Sequence, residues 1–412
     1  MQGLLPRRHR QEQTRIRNSP AERFVKGTGA NMSRKVAIVE VAQTSGVESG
    51  DNLLDQLFRV CKEVMDKAGV TRNEISTVVS AASDVFHGGV SCANAYYWDS
   101  AAAFLKNGTR QDGESLLAFQ YAVMRILTGH HDLALVVGIC KGSENPDNDV
   151  ITYYFSDPFY QRQLGMNETF AAALQMRAYL ETYGITEEQC AKVVVKNLGN
   201  ALRNPYAHVR KKLDVDTVLN SKRIMDPLKE MECAPKSEGM VALLLASEEK
   251  ATKLTKRPVW FKGFGSSMDT FYVGDRDLTK GQLRNAAKRA YDMAGIKNPR
   301  TEIDVAEITE PYSFHELMWY EGLGFCGEGE GGNLIDSGVT QFDGELPVNP
   351  SGGVLATNPY VSRGLYRLAE VALQIKGQAG ERQVDRQVTT GLAHGCHGFA
   401  GQFHAVTIVG SE

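Results

Sequence analysis

Lys62–Val79 reads KEVMDKAGVTRNEISTVV, and Lys288–Ile308 reads KRAYDMAGIKNPRTEIDVAEI. In both, a helical pattern ends on glycine, the residue least strained in the left-handed backbone that stops a helix, and a polar linker leads into a strand-like run. Working outward, VAIVEV at 36–41 predicts a strand ahead of the first copy, and Asn52–Gly69 sets Leu53, Leu57, Val60 and Val64 on one helical face. Pro258–Phe264, Lys280–Gly295 and Ile303–Ile308 repeat the order strand, helix, strand around the second copy. Two copies of one β–α–β unit indicate an internally duplicated α/β chain.

Each half then adds a helix and a strand. Ser115–Gly129 predicts a helix and Leu133–Gly138 (LALVVG) a buried strand; Gly364–Gly377 and Gln402–Val409 are their counterparts. The loop before each of these helices is the place to look for chemistry. One ends near Asp112, and the other is the glycine-rich run from Gly324 to Gly364, with LPVNPSGG at 346–353. Glycine admits positive φ and close backbone approach, and a helix N-terminus offers free amides and the positive end of the helix dipole. Two facing N-termini would converge on one anion- or acyl-binding site, so Ser351, Gly352 and Gly353 are candidate substrate contacts. A plain surface loop is the competing reading of the glycine content. Between the halves, 148–255 reads as a helical and irregular insertion whose clearest helix is Phe170–Gly184.

Composition narrows the class. A chain of 412 residues, 42% hydrophobic and 23% charged, has the length for two core-forming units. A net charge of −3 recruits neither nucleic acid nor an anionic membrane, and no run approaches the roughly 18 apolar residues of a membrane span. The seven cysteines contain no CxxC pair, which argues against a disulfide framework and a structural zinc site and for a reducing, cytoplasmic compartment. Residues 1–31 carry Arg7, Arg8, Arg10, Arg15, Arg17, Arg23 and Lys26, and read as a basic disordered extension or tag. The expected division is 32–147 with part of 185–255 as the first half, 148–184 as an insertion, and 256–412 as the second half.

The order of motifs resembles the thiolase superfamily, in the archaeal and bacterial branch similar to the thiolase part of sterol-carrier proteins. The resemblance covers about 33–410 and rests on DKAGV at 66–70, ILTGHHDLALVVGICKGSE at 126–144, VVVKNLGNALRNP at 193–205, CAPKSEGMVALLLAS at 233–247, EGLGFCGEGEGG at 321–332, LPVNPSGG at 346–353 and GQAGERQV at 377–384. It implies a duplicated, five-layered αβαβα thiolase fold acting on coenzyme A thioesters as substrates, with no permanently bound cofactor and no metal. It also implies a dimer.

Site residues carry over one position at a time. The family's nucleophilic cysteine opens the helix before LALVVG, where a helix N-terminus lowers a thiol pKa; counting back from Gly129, this chain has Asp112 there. Aspartate is a poor acyl acceptor, which leaves capping of the helix or a catalytic-base or electrostatic role. The family's Asn-Glu-Ala-Phe or His-Asp-Ala-Phe motif corresponds to Thr309-Glu310-Pro311-Tyr312, and its Gly-His-Pro histidine to the region of Asn358 and Tyr360 in ATNPYVSRG. Asparagine can donate to an enolate oxygen but cannot serve as the base. The C-terminal Cys-x-Gly is retained as Cys396-His397-Gly398. An inert buried thiol is the plainer reading of Cys396, and a satisfied buried ring that of Tyr360 and Tyr312.

Two chemistries follow from the resemblance. Thiolytic acyl transfer needs a nucleophile, a base and oxyanion donors. The steroid side-chain retro-aldolases look like thiolases without the cysteine and carry a tyrosine shortly after NPSGG, a position matched within one residue by Tyr360. Two-subunit relatives such as the benzoylsuccinyl-CoA type imply a small zinc-ribbon/OB-fold partner, and NAYYWDSAAAF at 94–104 would suit a bulky acyl group or pack in the core or a dimer contact. The alternative is a non-catalytic subunit that binds CoA esters or scaffolds a partner.

Overall fold

The computed structural model describes residues 34–87 and 96–412; the expectation for 1–31 and the start of the 94–104 stretch lie outside them. Lys35–Glu412 is a single unit. Its centre is one mixed nine-stranded sheet built from β1 (Val36–Gln43), β2 (Thr77–Ala81), β3 (Asn107–Gln111), β4 (Leu133–Cys140), β5 (Gly239–Ser247), β6 (Val259–Met268), β7 (Val305–Glu307), β8 (Thr390–His397) and β9 (Phe403–Gly410). Spatial order is β3-β2-β4-β5-β1-β6-β9-β8-β7.

That order is a palindrome of the duplication. On each side of the middle, an inner strand (β1 or β6) pairs antiparallel with the last strand of its half (β5 or β9), which pairs antiparallel with the strand after the inner helix (β4 or β8), which pairs in parallel with the strand beyond (β2 or β7). β3 runs parallel to β2, and its counterpart is a single parallel bridge, Ala306 to Val348. The halves meet where β1 pairs antiparallel with β6, at Ala37–Trp260 and Ile38–Val259.

Helices take the places the periodicity predicts. Leu53–Ala68 (α1) is capped by the Asn52 side chain, which accepts from the Asp55 amide at 2.9 Å, and stops at Gly69 with φ 67°; in the second half Leu283–Ala294 stops at Gly295 with φ 77°. Leu116–Leu127 (α2) and Arg363–Lys376 are the inner pair. Their apolar faces, among them Phe119, Val123, Leu365 and Leu368, pack together with Val136 and Leu243 from one half of the sheet and Ala393 and Val409 from the other. Leu57, Val60 and Val64 cover the outer face of the first half beside Val39 and Leu135, while Ala286 and Ala290 cover that of the second beside Leu392 and Val406. The layers are therefore αβαβα, as the resemblance implied.

One expectation is corrected. Gly239–Ser247, placed by sequence in a helical and irregular insertion, is a fully buried strand near the middle of the sheet, between β4 and β1. GMVALLLAS shows no alternation because both of its faces are covered, so period alone cannot separate it from a helix. Elsewhere the insertion carries the helices Asn148–Phe155 (α3), Glu168–Tyr183 (α4) and Glu187–Ala201 (α5), the last opened by a capping box between Thr186 and Gln189, and a short antiparallel pair, Arg223–Met225 with Leu228–Lys229. The second half adds Leu283–Ala294 as α6, Ser313–Gly322 as α7 and Arg363–Lys376 as α8. Among the described residues no helix is long and apolar enough to cross a membrane.

Candidate active site

The N-termini of α2 and α8 meet, as the two-dipole argument required, but the anion between them belongs to the protein. The first-turn amide of Leu365 donates to Ser115 Oγ at 3.0 Å. Beside it the buried Glu114 carboxylate accepts from the Leu116 amide at 3.1 Å and from Ser115 Oγ at 3.2 Å. It lies against backbone from the other half: a Cβ added to Gly364 would sit 1.9 Å from Glu114 Oε1, and one added to Gly395 would sit 2.2 Å from the carboxyl carbon. Burial pushes Glu114 up to about 7 against the pull of Arg363. Asp112 is corrected accordingly. It is exposed, and its carboxylate accepts from the neighbouring Gly113 amide instead of capping the helix, which begins at Leu116 after Ser115.

Arg363, the first residue of α8, is a buried cation among the candidate groups. Its Nη2 and Nε donate to the Cys396 carbonyl at 2.6 and 3.1 Å, its Nη2 lies 3.9 Å from Glu168 Oε1, and its guanidinium stands 4.6 Å from the Tyr360 ring centre. Nη1 is buried with no partner among the described residues. Tyr360 stacks on Phe86 at 4.3 Å and meets His397 edge-on at 5.9 Å. Burial and the charge of the nearby Glu168 carboxylate hold Tyr360 far above the ordinary tyrosine range. Glu168, in the first turn of α4 behind the Asn167 cap, is raised by burial and drawn back chiefly by Arg363. Cys396 is pushed up to about 12 by burial, so its sulfur stays a thiol, and burial with Arg363 brings His397 down to about 4, so its imidazole stays neutral.

Next to this cluster lies a cavity of about 170 Å³ lined by Asp149, Glu168, Thr169, Lys236, Tyr312 and Asn358, among others. Three segments distant in sequence make it: the start of α3 with α4, the CAPK run ahead of β5, and the second-half turns around Tyr312 and Asn358. The Tyr312 hydroxyl is 3.2 Å from Thr169 Oγ1, and burial holds it protonated. Asn358 is fixed by its backbone, its amide donating to Ser237 Oγ at 3.0 Å, while its buried Oδ1 has no partner among the described residues. The cavity wall thus offers a carboxylate, a phenol and an amide side chain. These can take a proton from a hydroxyl and donate to a carbonyl oxygen.

The glycine-rich turn plays a different part from the one predicted. Gly352 and Gly353 have φ of 100° and 68°, and an added Cβ on Gly353 would lie 1.9 Å from Glu310 Oε1, while one on Gly352 would lie 2.7 Å from the Ala201 Cβ. The Ser351 amide and hydroxyl both donate to Glu307, at 2.9 and 2.8 Å, and Arg367 joins them. Beneath the turn Lys196 pairs with Glu316 at 2.9 Å with both side chains fully buried, and Asn197 bridges Glu310 and Glu316 at 3.0 and 2.8 Å. The Thr309 hydroxyl is likewise used, donating to the His394 carbonyl at 2.9 Å. The structure therefore does not bring Ser351, Gly352, Gly353 or Thr309 to the cavity; it encloses them in a buried hydrogen-bonded and ion-paired support. Of the residues expected from sequence, it gathers Tyr312, Asn358, Tyr360, Cys396 and His397.

Glu114, Glu168 and Arg363 were missed. Each had only a local signal, a glutamate two residues past Asp112, a first-turn acid after Asn167, and an arginine opening a helix, and none implied burial. Among the described residues no group of three His, Cys, Asp or Glu side chains is arranged to hold a metal ion.

Comparison with known proteins matches this geometry to a family. A family model described as thiolase C-terminal domain-like matches residues 265–411. The acetyl-CoA acetyltransferase of Methanothermobacter thermautotrophicus is 32% identical over 89% of this chain and 97% of its own length. Sterol carrier protein 2 of Oryctolagus cuniculus is 34% identical over 50% of this chain, and the match spans 39% of that longer protein. Among solved structures, one titled Ltp2-ChsH2(DUF35) aldolase superposes with a TM-score of 0.79 at 22% identity, covering 92% of this chain and 98% of that one.

Proposed function

From the premise that the chain belongs to the thiolase superfamily, in the branch similar to sterol-carrier-protein thiolases, we propose that it breaks a carbon–carbon bond in a β-hydroxyacyl-CoA by a retro-aldol reaction. One observation carries the reading: Glu168, 3.9 Å from the buried Arg363 and lining one cavity with Tyr312 and Asn358, supplies acid–base chemistry where the family nucleophile is absent. Glu168 takes the proton of the β-hydroxyl. The β-carbon becomes a carbonyl, and the Cα–Cβ bond breaks with its electron pair passing into the thioester as an enolate. Tyr312 O–H and the Asn358 side-chain amide donate to the enolate oxygen, and the α-carbon regains a proton to release a shortened acyl-CoA.

Tyr360 acts beside Glu168 as a neutral phenol, because a phenol held so far above its usual range is not a standing base. No acyl-enzyme is required, which suits Cys396, whose protonated thiol is a weak nucleophile. The reading extends to a homodimer joined by a small zinc-ribbon/OB-fold subunit, with coenzyme A as substrate carrier and a cytoplasmic setting. The two-component name of the structural relative supports the partner.

The test is product analysis with a panel of β-hydroxyacyl-CoA thioesters, with the protein alone and with a co-expressed small partner. Release of a ketone or aldehyde with the shortened acyl-CoA, no mass adduct on the protein, and loss of turnover in Glu168→Gln are expected. An acyl adduct on Cys396 would replace the retro-aldol reading with acyl transfer. Tight CoA-ester binding without turnover in every pairing would leave a binding or scaffold subunit.

A further inference from the structure

Two buried carboxylates feel the charge of a single guanidinium. Glu168 comes from the insertion and lines the cavity; Glu114 comes from the N-terminus of α2 and lies on the backbone of Gly364, next to Arg363, and of Gly395, next to Cys396. Arg363 lies 3.9 Å from Glu168 and attracts Glu114 at longer range, with Nη1 unpartnered among the described residues and both other donors on the Cys396 carbonyl. Tyr360 and Cys396 also face it, and its charge reaches His397, His394 and His315, whose burial keeps them neutral. Asp149 adds negative charge on the far side of Glu168.

We infer that Glu114 is a positioning residue for the reaction: by sharing Arg363 with Glu168 it sets how strongly Glu168 holds the proton it takes from substrate. With Glu114 ionised, Arg363 serves two anions and Glu168 is the stronger base. With Glu114 neutral, Arg363 serves Glu168 alone and Glu168 is the weaker base, ionised to lower pH. Glu114 has a second anchor in the helix-end amide of Leu116, so it stays in place in either state. The kinetic arm of the inference rests on the retro-aldol reading.

Glu114→Gln keeps the shape and an acceptor for the Leu116 amide but removes the charge. In the full chain, the acid limb of the kcat/KM profile is expected to move down by about one pH unit, with a lower plateau and an unchanged KM. An unmoved limb would make Glu114 a structural residue and overturn the inference; full activity in Glu168→Gln would instead overturn the retro-aldol reading. A second arm needs no turnover. Thermal melting at pH 8 of the wild type, Glu114→Gln, Glu168→Gln and the double variant should show each single variant near or above the wild type. The double variant should melt well below both, because it strands Arg363 without a carboxylate. Additive melting shifts would refute the shared cation.

Discussion

The loops that precede the two inner helices occupy equivalent places in a duplicated fold and differ in what meets their buried carboxylates. Under the second-half turn at 349–353, Glu307 is met by Arg367, and Glu316 by Lys196, with Asn197 and Asn349 filling the remaining lone pairs. In the first half Glu114 has amide and hydroxyl donors but no salt-bridge partner, and the nearby Arg363 contacts Glu168 instead. Salt bridges hold Glu307 and Glu316 under the second-half turn, with Glu310 between them raised far above its usual range by burial and the Glu316 charge, whereas Glu114 is held by hydrogen bonds alone.

The largest effect should come from breaking the support. Gly353→Ala forces a Cβ to within 1.9 Å of Glu310 at a backbone φ of 68°, and a loss of stability beyond about 4 kcal/mol is expected, read as insoluble or unfolded protein. Lys196→Met leaves the buried Glu316 carboxylate without its cation, at an expected cost of about 3–5 kcal/mol by thermal or denaturant melting. A shift under 1 kcal/mol would mean that the two loops do not differ in the way described.

Beside the cavity, Tyr360→Phe removes one hydroxyl and leaves the ring on Phe86. Stability should change by about 1 kcal/mol and turnover should fall on the order of 100-fold, and equal losses in both would reduce Tyr360 to a packing residue. The smallest effect sharpens the contrast further. Cys396→Ser should alter kcat by no more than about threefold, and wild-type activity should survive iodoacetamide at pH 8, because a thiol pushed up to about 12 has little thiolate to react.

Much of the scaffold could be read from the chain. Glycine stops at Gly69, Gly295 and Gly377 and the runs VAIVEV and LALVVG have local causes, so local pattern locates them. Gly239–Ser247 was misplaced because its partners, β1 and β4, lie far away in sequence and cover both faces. The Ser313–Gly322 helix was passed over because it buries His315, Glu316 and Glu321, which reads as a polar surface until Lys196, Gln175 and Tyr179 are seen beside them.

The site shows the same limit. Tyr360, Tyr312, Asn358, Cys396 and His397 were expected from motif positions, and they lie around the cavity and the Arg363 cluster beside it. Ser351 was expected to face substrate from its place in the NPSGG turn and Thr309 from its motif position, but their donors are consumed by Glu307 and by the His394 carbonyl. Glu114 and Glu168 acquire meaning only from Arg363, 249 and 195 positions further along the chain respectively.

The seam between β1 and β6 bears on how the chain may be divided. Each half ends its sheet at the other's inner strand, and each inner helix is roofed by the partner half's strands. A nick in the exposed stretch at 256–257 should therefore yield fragments that are insoluble when made separately and recover a native fold when co-expressed, each acting as the folding template of the other.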